Sequence, residues 1–194
     1  MEYIAVFGGT FNPFHKGHYE ILETVCAQSF IKKVLLIPDR IPPHKNPLYL
    51  APDKDRIEMC RIICDKFPKA ELSTIEFERK GKSYTIDTVK LLKKKYKDEN
   101  LAVICGGDMI SSLSTWKHYK KLKKLVTFIA FNRDEDKDFS QYVSEYIRDG
   151  ANIIVINKDI TSVSSTELRE NIDKDKLPLE IYEYIKKTGL YNGK

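Results

Sequence analysis

His15 and His18 stand three residues apart at the end of the string Gly8-Gly9-Thr10-Phe11-Asn12-Pro13-Phe14-His15-Lys16-Gly17-His18. That spacing lets both imidazoles face one spot on the first turn of a helix. Two N–H donors so placed can hold phosphate oxygens while negative charge shifts toward a leaving group. Gly8 and Gly9 let the backbone turn sharply and approach a ligand with no Cβ in the way, and Gly17 does the same at the mouth of the helix. The free N–H groups and dipole of that helix favour an anion. The plain alternative is a glycine-rich turn with two surface histidines, which neither Gly-Gly nor a His pair alone would exclude. The string is neither a Gly-x-Gly-x-x-Gly dinucleotide loop nor a Walker loop.

A second cluster lies far along the chain, in Ser164-Ser165-Thr166-Glu167-Leu168-Arg169. Ser164 and Glu167 satisfy the S/T-x-x-E capping box, so the segment reads first as a helix start. A capped helix still presents N–H groups and hydroxyls, and Arg169 adds a fixed fork suited to phosphate.

Between these clusters, Pro38-Asp39-Arg40-Ile41-Pro42-Pro43-His44-Lys45 forms a stiff, proline-braced loop holding one His and one Lys. Tyr84-Thr85-Ile86-Asp87-Thr88 opens a helix, where Thr85 could serve as a cap. Gly106-Gly107-Asp108-Met109 follows a buried strand, and Trp116, the single tryptophan, comes shortly after as a core residue by default.

Together these strings resemble the nucleotidyltransferase superfamily. The first is similar to its Gly-Gly-x-Phe-x-Pro-x-His-x-Gly-His signature and the second to its Ile/Val-Ser-Ser-Thr-x-Ile/Leu-Arg motif. Residues 38–45 are similar to the Pro-x-x-x-Pro-Pro-His-Lys loop of bacterial nicotinate-nucleotide adenylyltransferases. The ending Leu177-Pro178-Leu179-Glu180 through Gly189-Leu190-Tyr191 is similar to that family's terminal helix, so the likeness covers almost the whole chain.

The resemblance implies that His15 and His18 contact nucleotide phosphates as the catalytic pair, with no covalent intermediate. An acceptor phosphate attacks the α-phosphorus of ATP and pyrophosphate leaves, with Mg²⁺ arriving on the triphosphate. It implies an ATP site of Gly8, Gly9, Phe11, Gly106, Asp108 (at the ribose hydroxyls), Ser164, Ser165, Thr166 and Arg169. It implies that Thr10 places the phosphate of nicotinate mononucleotide, with His44 and Lys45 also binding the mononucleotide. Thr85 then recognises the ring and its carboxylate, Trp116 stacks on the ring, and Arg133 touches the ligand. The family often has Arg-Pro-Gly where this chain has Arg133-Asp134-Glu135, which separates Arg133 from the pattern. The 38–45 loop, Thr85 and Trp116 speak against a phosphopantetheine acceptor. They leave the choice between nicotinate and nicotinamide mononucleotide open.

The elements that must position these residues are legible as short runs. Tyr3–Phe7, Val34–Ile37, Leu72–Phe77, Leu101–Cys105, Thr127–Phe131 and Asn152–Ile156 read as strands, several apolar at consecutive positions, as in a parallel sheet buried on both faces. Helical spacing marks Tyr19, Leu22, Val25 and Cys26; Ile57, Cys60 and Cys64; Ile86, Val89, Leu92 and Tyr96; and Phe139, Tyr142, Val143, Tyr146 and Ile147. A last helix opens at Pro178 and stops at Gly189. The β-α alternation predicts an α/β, Rossmann-like, doubly wound and mainly parallel sheet in one domain over residues 1–194, with a small C-terminal helical extension. Ligands in such sheets bind beyond the carboxyl ends of the strands.

Composition sets the outer bounds. Thirty-three Lys and Arg against 28 Asp and Glu give a net charge of +5, which suits an anionic ligand without implying nucleic acid. The basic run Lys117–Lys124 carries no recognition motif and reads as well as the exposed face of a short helix. No apolar run is long enough to span a membrane and the start lacks a secretory signal, so a cytoplasmic setting is expected. Cys60 and Cys64, spaced i, i+4, raise a zinc clasp, but no histidine neighbours any of the four cysteines, and buried free thiols are expected. A non-catalytic nucleotide sensor is the rival class, though one that would keep the glycines and lose the histidines. Whether the chain forms a homo-oligomer stays open.

Overall fold

A computed structural model describes residues 1–43, 50–132 and 138–191, with the side chains at 107, 108 and 132 outside that description. Six strands, β1 (Tyr3–Gly9), β2 (Ile31–Pro38), β3 (Ala70–Leu72), β4 (Asn100–Cys105), β5 (Thr127–Asn132) and β6 (Asn152–Asn157), form one sheet in the order β3-β2-β1-β4-β5-β6. Every neighbouring pair is parallel. The chain winds outward one way from β1 and the other way from β4, so a topological switch point lies between these two central strands. The loops leaving them part in opposite directions and open a crevice at their carboxyl ends. Gly8 and Gly9 do not form the expected turn but end β1, paired with Ile37 and Pro38 of β2, and Gly106 follows β4, so both lie at the carboxyl ends of the two central strands.

Eight helices are described: α1 (Lys16–Cys26), α2 (Asp53–Cys64), α3 (Thr85–Lys95), α4 (Gly107–Ser111), α5 (Tyr119–Leu122), α6 (Phe139–Arg148), α7 (Ser165–Glu170) and α8 (Leu179–Thr188). Alternate residues of each strand point to opposite faces. Ala5 and Phe7 therefore join Leu22, Val25, Met59, Ile63, Ile181 and Ile185 of α1, α2 and α8. Ile4 and Val6 join Val89, Leu92, Leu122, Phe139 and Val143 of α3, α5 and α6 on the other face. Cys60, Cys64 and Cys105 are buried as free thiols and Cys26 half-buried. Burial pushes the Cys26 thiol up to about 11.

Three further expectations need correction. The third strand, expected over Leu72–Phe77, is only Ala70–Leu72, and Phe77 N–H closes a turn on the Thr74 carbonyl at 2.8 Å. Strand alternation fails there because neighbouring side chains are both buried. Ile75 enters the second-face core, while Glu76 pairs with Arg79 at 2.6 Å and accepts from the Thr88 hydroxyl. On α6 the apolar stripe stops short of Ile147, which is 51% exposed. The last helix begins at Leu179, with Pro178 in the cap position, and ends as expected at Gly189, whose φ of 67° lies in the left-handed region.

Candidate active site

His15 holds the N-cap position of α1 with extended backbone. Its Nδ1 accepts from the backbone N–H of His18 at 3.4 Å, and the His18 Nδ1 accepts from the backbone N–H of His15 at 3.3 Å. This is a capping box made of two imidazoles, with the rings stacked at 3.6 Å and 18°. A ring nitrogen that accepts carries no proton, so each neutral imidazole keeps its proton on Nε2 as a donor. His18 is further seated against Phe11 (5.0 Å), Phe14 (5.3 Å) and Phe7 (6.2 Å). The sequence reading missed this aromatic seat, although the Phe-x-x-Phe spacing of Phe11 and Phe14 was in view. His15 itself is 7% exposed.

The three glycines have different reasons. A Cβ on Gly8 would meet nothing within 4 Å, so packing within the protein does not require glycine there. A Cβ on Gly9 would come within 2.9 Å of the Phe11 ring. At Gly17 it would come within 2.7 Å of the Thr161 carbonyl, so a protein segment, rather than a ligand, takes the close approach expected at the helix mouth. Glu20 pins that segment by accepting from the Thr161 N–H (2.7 Å) and hydroxyl (2.6 Å). Phe11, at φ 47° in the left-handed region, is 1% exposed, and its ring supports His18 from beneath.

The loop after β1 and the Ser/Arg segment meet. Arg169 Nη1 donates to the Asn12 carbonyl at 3.0 Å, across 157 residues, and to the Ser165 carbonyl at 2.9 Å, while Nη2 donates to the Thr166 hydroxyl at 3.0 Å. Ser164 caps α7 by accepting from the Glu167 N–H at 3.2 Å. The Glu167 carboxylate turns toward Lys176 at 4.0 Å, and only the Ser164 half of the capping box is described. Asn12, unremarked within its motif, is a node. Its Oδ1 accepts from the Ala51 N–H (3.0 Å) and from the Tyr191 hydroxyl (2.8 Å). Burial raises the Tyr191 phenol, which keeps it a donor.

Thr10, in the same loop as Asn12, is buried, and Thr85 is half-buried as the first residue of α3. Tyr84 occupies the cap position expected for Thr85 and, among the described residues, no side chain caps α3. Trp116 is half-buried against the second-face core. The adjacent Lys117 lies 3.0 Å from Asp87 and 4.1 Å from the Tyr84 ring centre, fastening the Trp116 turn to the start of α3. Burial alone would raise the Asp87 carboxyl, but Lys117, Lys90 and Arg79 outweigh it and hold the group below its ordinary range. The basic run does not form one exposed strip: Tyr119 is buried, and Lys123 reaches Asp149 at 2.6 Å. Gly106 holds the cap position of α4, and the Asp108 backbone lies in that helix's first turn. His44, Lys45 and Arg133 lie outside the described residues.

Comparisons with known proteins bear on family and fold. Residues 6–171 match the cytidylyltransferase-like family. A "probable nicotinate-nucleotide adenylyltransferase" of Listeria monocytogenes is 36% identical over 193 residues, covering 98% of each chain. A relative of the same name from Halalkalibacterium halodurans is 39% identical over 197 residues, covering 98% of this chain and 92% of the relative. The fold is similar to that of a Plasmodium falciparum nicotinic acid mononucleotide adenylyltransferase solved with NaAD. That likeness has a TM-score of 0.84 at 22% identity and covers 100% of this chain and 99% of the other.

Proposed function

The chain belongs to the nicotinate-nucleotide adenylyltransferases of the cytidylyltransferase-like family, and from that premise we propose that it transfers the AMP part of ATP to nicotinate mononucleotide, giving deamido-NAD and pyrophosphate. The observation that supports the site assignment is the Arg169–Asn12 bond, by which the Ser/Arg segment touches the histidine loop.

In this reading a phosphate oxygen of the mononucleotide attacks the α-phosphorus of ATP. The new P–O bond forms as the bond to the β-phosphate bridge oxygen breaks, and pyrophosphate departs with that electron pair. A phosphate monoester already carries about −1.5 to −2 charge at pH 7, so the attacking oxygen needs no proton removed. Catalysis then rests on positioning and charge stabilisation. His15 and His18 offer Nε2–H donors to the charge that moves toward pyrophosphate. Gly8 and Gly9 leave room for the phosphates, Phe11 backs His18, and Ser164, Ser165, Thr166 and Arg169 hold the triphosphate. Gly106 and Asp108 take the ribose. Thr10 places the acceptor phosphate, and Thr85 and Trp116 hold the pyridine ring, with His44, Lys45 and Arg133 as further contacts.

Among the described residues no group of three or more His, Cys, Asp and Glu is placed to hold a metal ion. In this reading Mg²⁺ would arrive on the triphosphate and screen its phosphate charge. A cytoplasmic setting accompanies the reading; among the described residues no helix is long and apolar enough to cross a membrane.

The test is pyrophosphate release from ATP with nicotinate mononucleotide, nicotinamide mononucleotide or phosphopantetheine as acceptor. Turnover should be fastest with the nicotinate compound. No turnover with either pyridine compound would overturn the reading.

A further inference from the structure

Arg56, on the first turn of α2, is fully buried, with 0% exposure. All five of its N–H donors have partners. Nε donates to the Ala51 carbonyl (3.3 Å). Nη1 donates to the carbonyls of Thr10 (3.1 Å) and Asp39 (2.5 Å), and Nη2 to the Arg40 carbonyl (3.4 Å) and Asp53 Oδ1 (2.5 Å). Asp53, the carboxylate it bonds, is half exposed. A guanidinium so deeply buried is a costly core filler compared with an apolar side chain of similar volume. Its partners suggest what it accomplishes. Thr10 follows β1, Asp39 and Arg40 follow β2, and Ala51 precedes α2, so the carbonyls come from irregular backbone leaving the sheet. Buried carbonyls of that kind need donors, and one rigid fork supplies them all.

The connection continues toward the pyridine side. Backbone N–H groups of Arg40 and Ile41 donate to the Ser83 hydroxyl at 3.0 and 3.3 Å, and the Arg40 guanidinium donates to the Arg79 carbonyl at 2.7 Å. Ser83 stands two residues before Thr85. Arg56 thus ties the loop carrying Thr10 to the segment that locates the start of α3. The same loop has a second anchor in Arg169, which grips the carbonyl of Asn12, two residues after Thr10.

We propose that Arg56 is a positioning residue for the mononucleotide half of the site, setting the separation between Thr10 and Thr85 through the Asp39–Ile41 segment. The inference rests on the reading in which Thr10 and Thr85 hold the mononucleotide. Its signature is asymmetry between the two substrates. Arg56→Lys keeps the charge and can still pair with Asp53, but it lacks the fork that serves four carbonyls at once. It should raise KM for nicotinate mononucleotide by about tenfold or more, since small misplacements of a binding loop are costly. KM for ATP should rise by a smaller factor, because the Arg169 grip on Asn12 remains, although the Ala51–Asn12 bond links it to the Arg56 network. Hydrogen exchange of amides 9–12, 14 and 39–41 should quicken, while that of β4 and β5 stays as in the parent.

Arg56→Met serves as the severe variant, and if it fails to fold, the Lys variant decides. Unchanged KM values in Arg56→Lys would overturn the proposal. So would equal losses for both substrates that track a lowered Tm, because these would mark a merely structural residue. If the parent enzyme turned over no pyridine mononucleotide, the functional reading would fail instead. The exchange measurement would then decide separately whether Arg56 holds the two segments together.

Discussion

His15 and His18 cap each other: each ring accepts through Nδ1 from the other residue's backbone N–H, at 3.4 and 3.3 Å. One arrangement therefore starts α1, stacks the imidazoles and puts the ring protons on Nε2 as donors. Serine would cap the helix equally well but would supply no such pair. His18→Ala should lower turnover by about two to four orders of magnitude through loss of a charge-stabilising donor. Stability should fall by about 0.5–2 kcal/mol, because the His18 half of the box is lost while His15 still caps the backbone N–H at position 18. Initial rates and thermal melts on the same preparation check both figures.

Gly8 and Gly17 should part company when changed to alanine. At Gly17 the added methyl meets the Thr161 carbonyl at 2.7 Å, and Glu20 holds that carbonyl's residue by two bonds. Alanine's better helix propensity offers back about 1 kcal/mol, but overpacking of about 1–3 kcal/mol exceeds it. A net loss of several degrees in Tm is expected. Gly8→Ala should leave stability within about 0.5 kcal/mol while reducing turnover about tenfold or more, because its open space is where the nucleotide is proposed to approach.

The cysteines should behave as core residues. Burial pushes Cys26 from its ordinary 9.0 up to about 11 and Cys64 to about 12. The thiolate is the reactive form, so folded Cys26 should alkylate about a hundredfold more slowly than a free thiol at pH 8. A folded-state value raised above the unfolded one gives stability that is complete below pH 9 and lost as pH rises from 9 through 11. A urea midpoint that is flat from pH 7 to 8.5 and then declines checks the sign. Removing both thiols by substitution with alanine should lessen the decline.

Much of this architecture is visible in the chain before folding. Four strands announce themselves as consecutive apolar runs, because a parallel sheet covered on both faces needs no alternation. The third strand misleads because Ile75 and Phe77 alternate with Glu76, and the Thr88 and Arg79 partners that bury Glu76 lie farther along the chain. The histidine spacing reveals a shared face, but mutual capping depends on ring rotation. Arg56 passes for surface charge in Asp53-Lys54-Asp55-Arg56, since four of its partners are backbone carbonyls, which leave no mark in residue types. Gly17 looks like a phosphate-loop glycine until Thr161 is seen against it.

The central claim is that the loop after β1 and the Ser/Arg segment hold a single polyphosphate. A double-mutant cycle on ATP affinity, with His18→Ala, Arg169→Ala and the pair measured by titration calorimetry, tests it most directly. Residues sharing one ligand group should show a coupling of about 0.5–3 kcal/mol. Strictly additive losses, with no coupling beyond experimental error, would contradict the account.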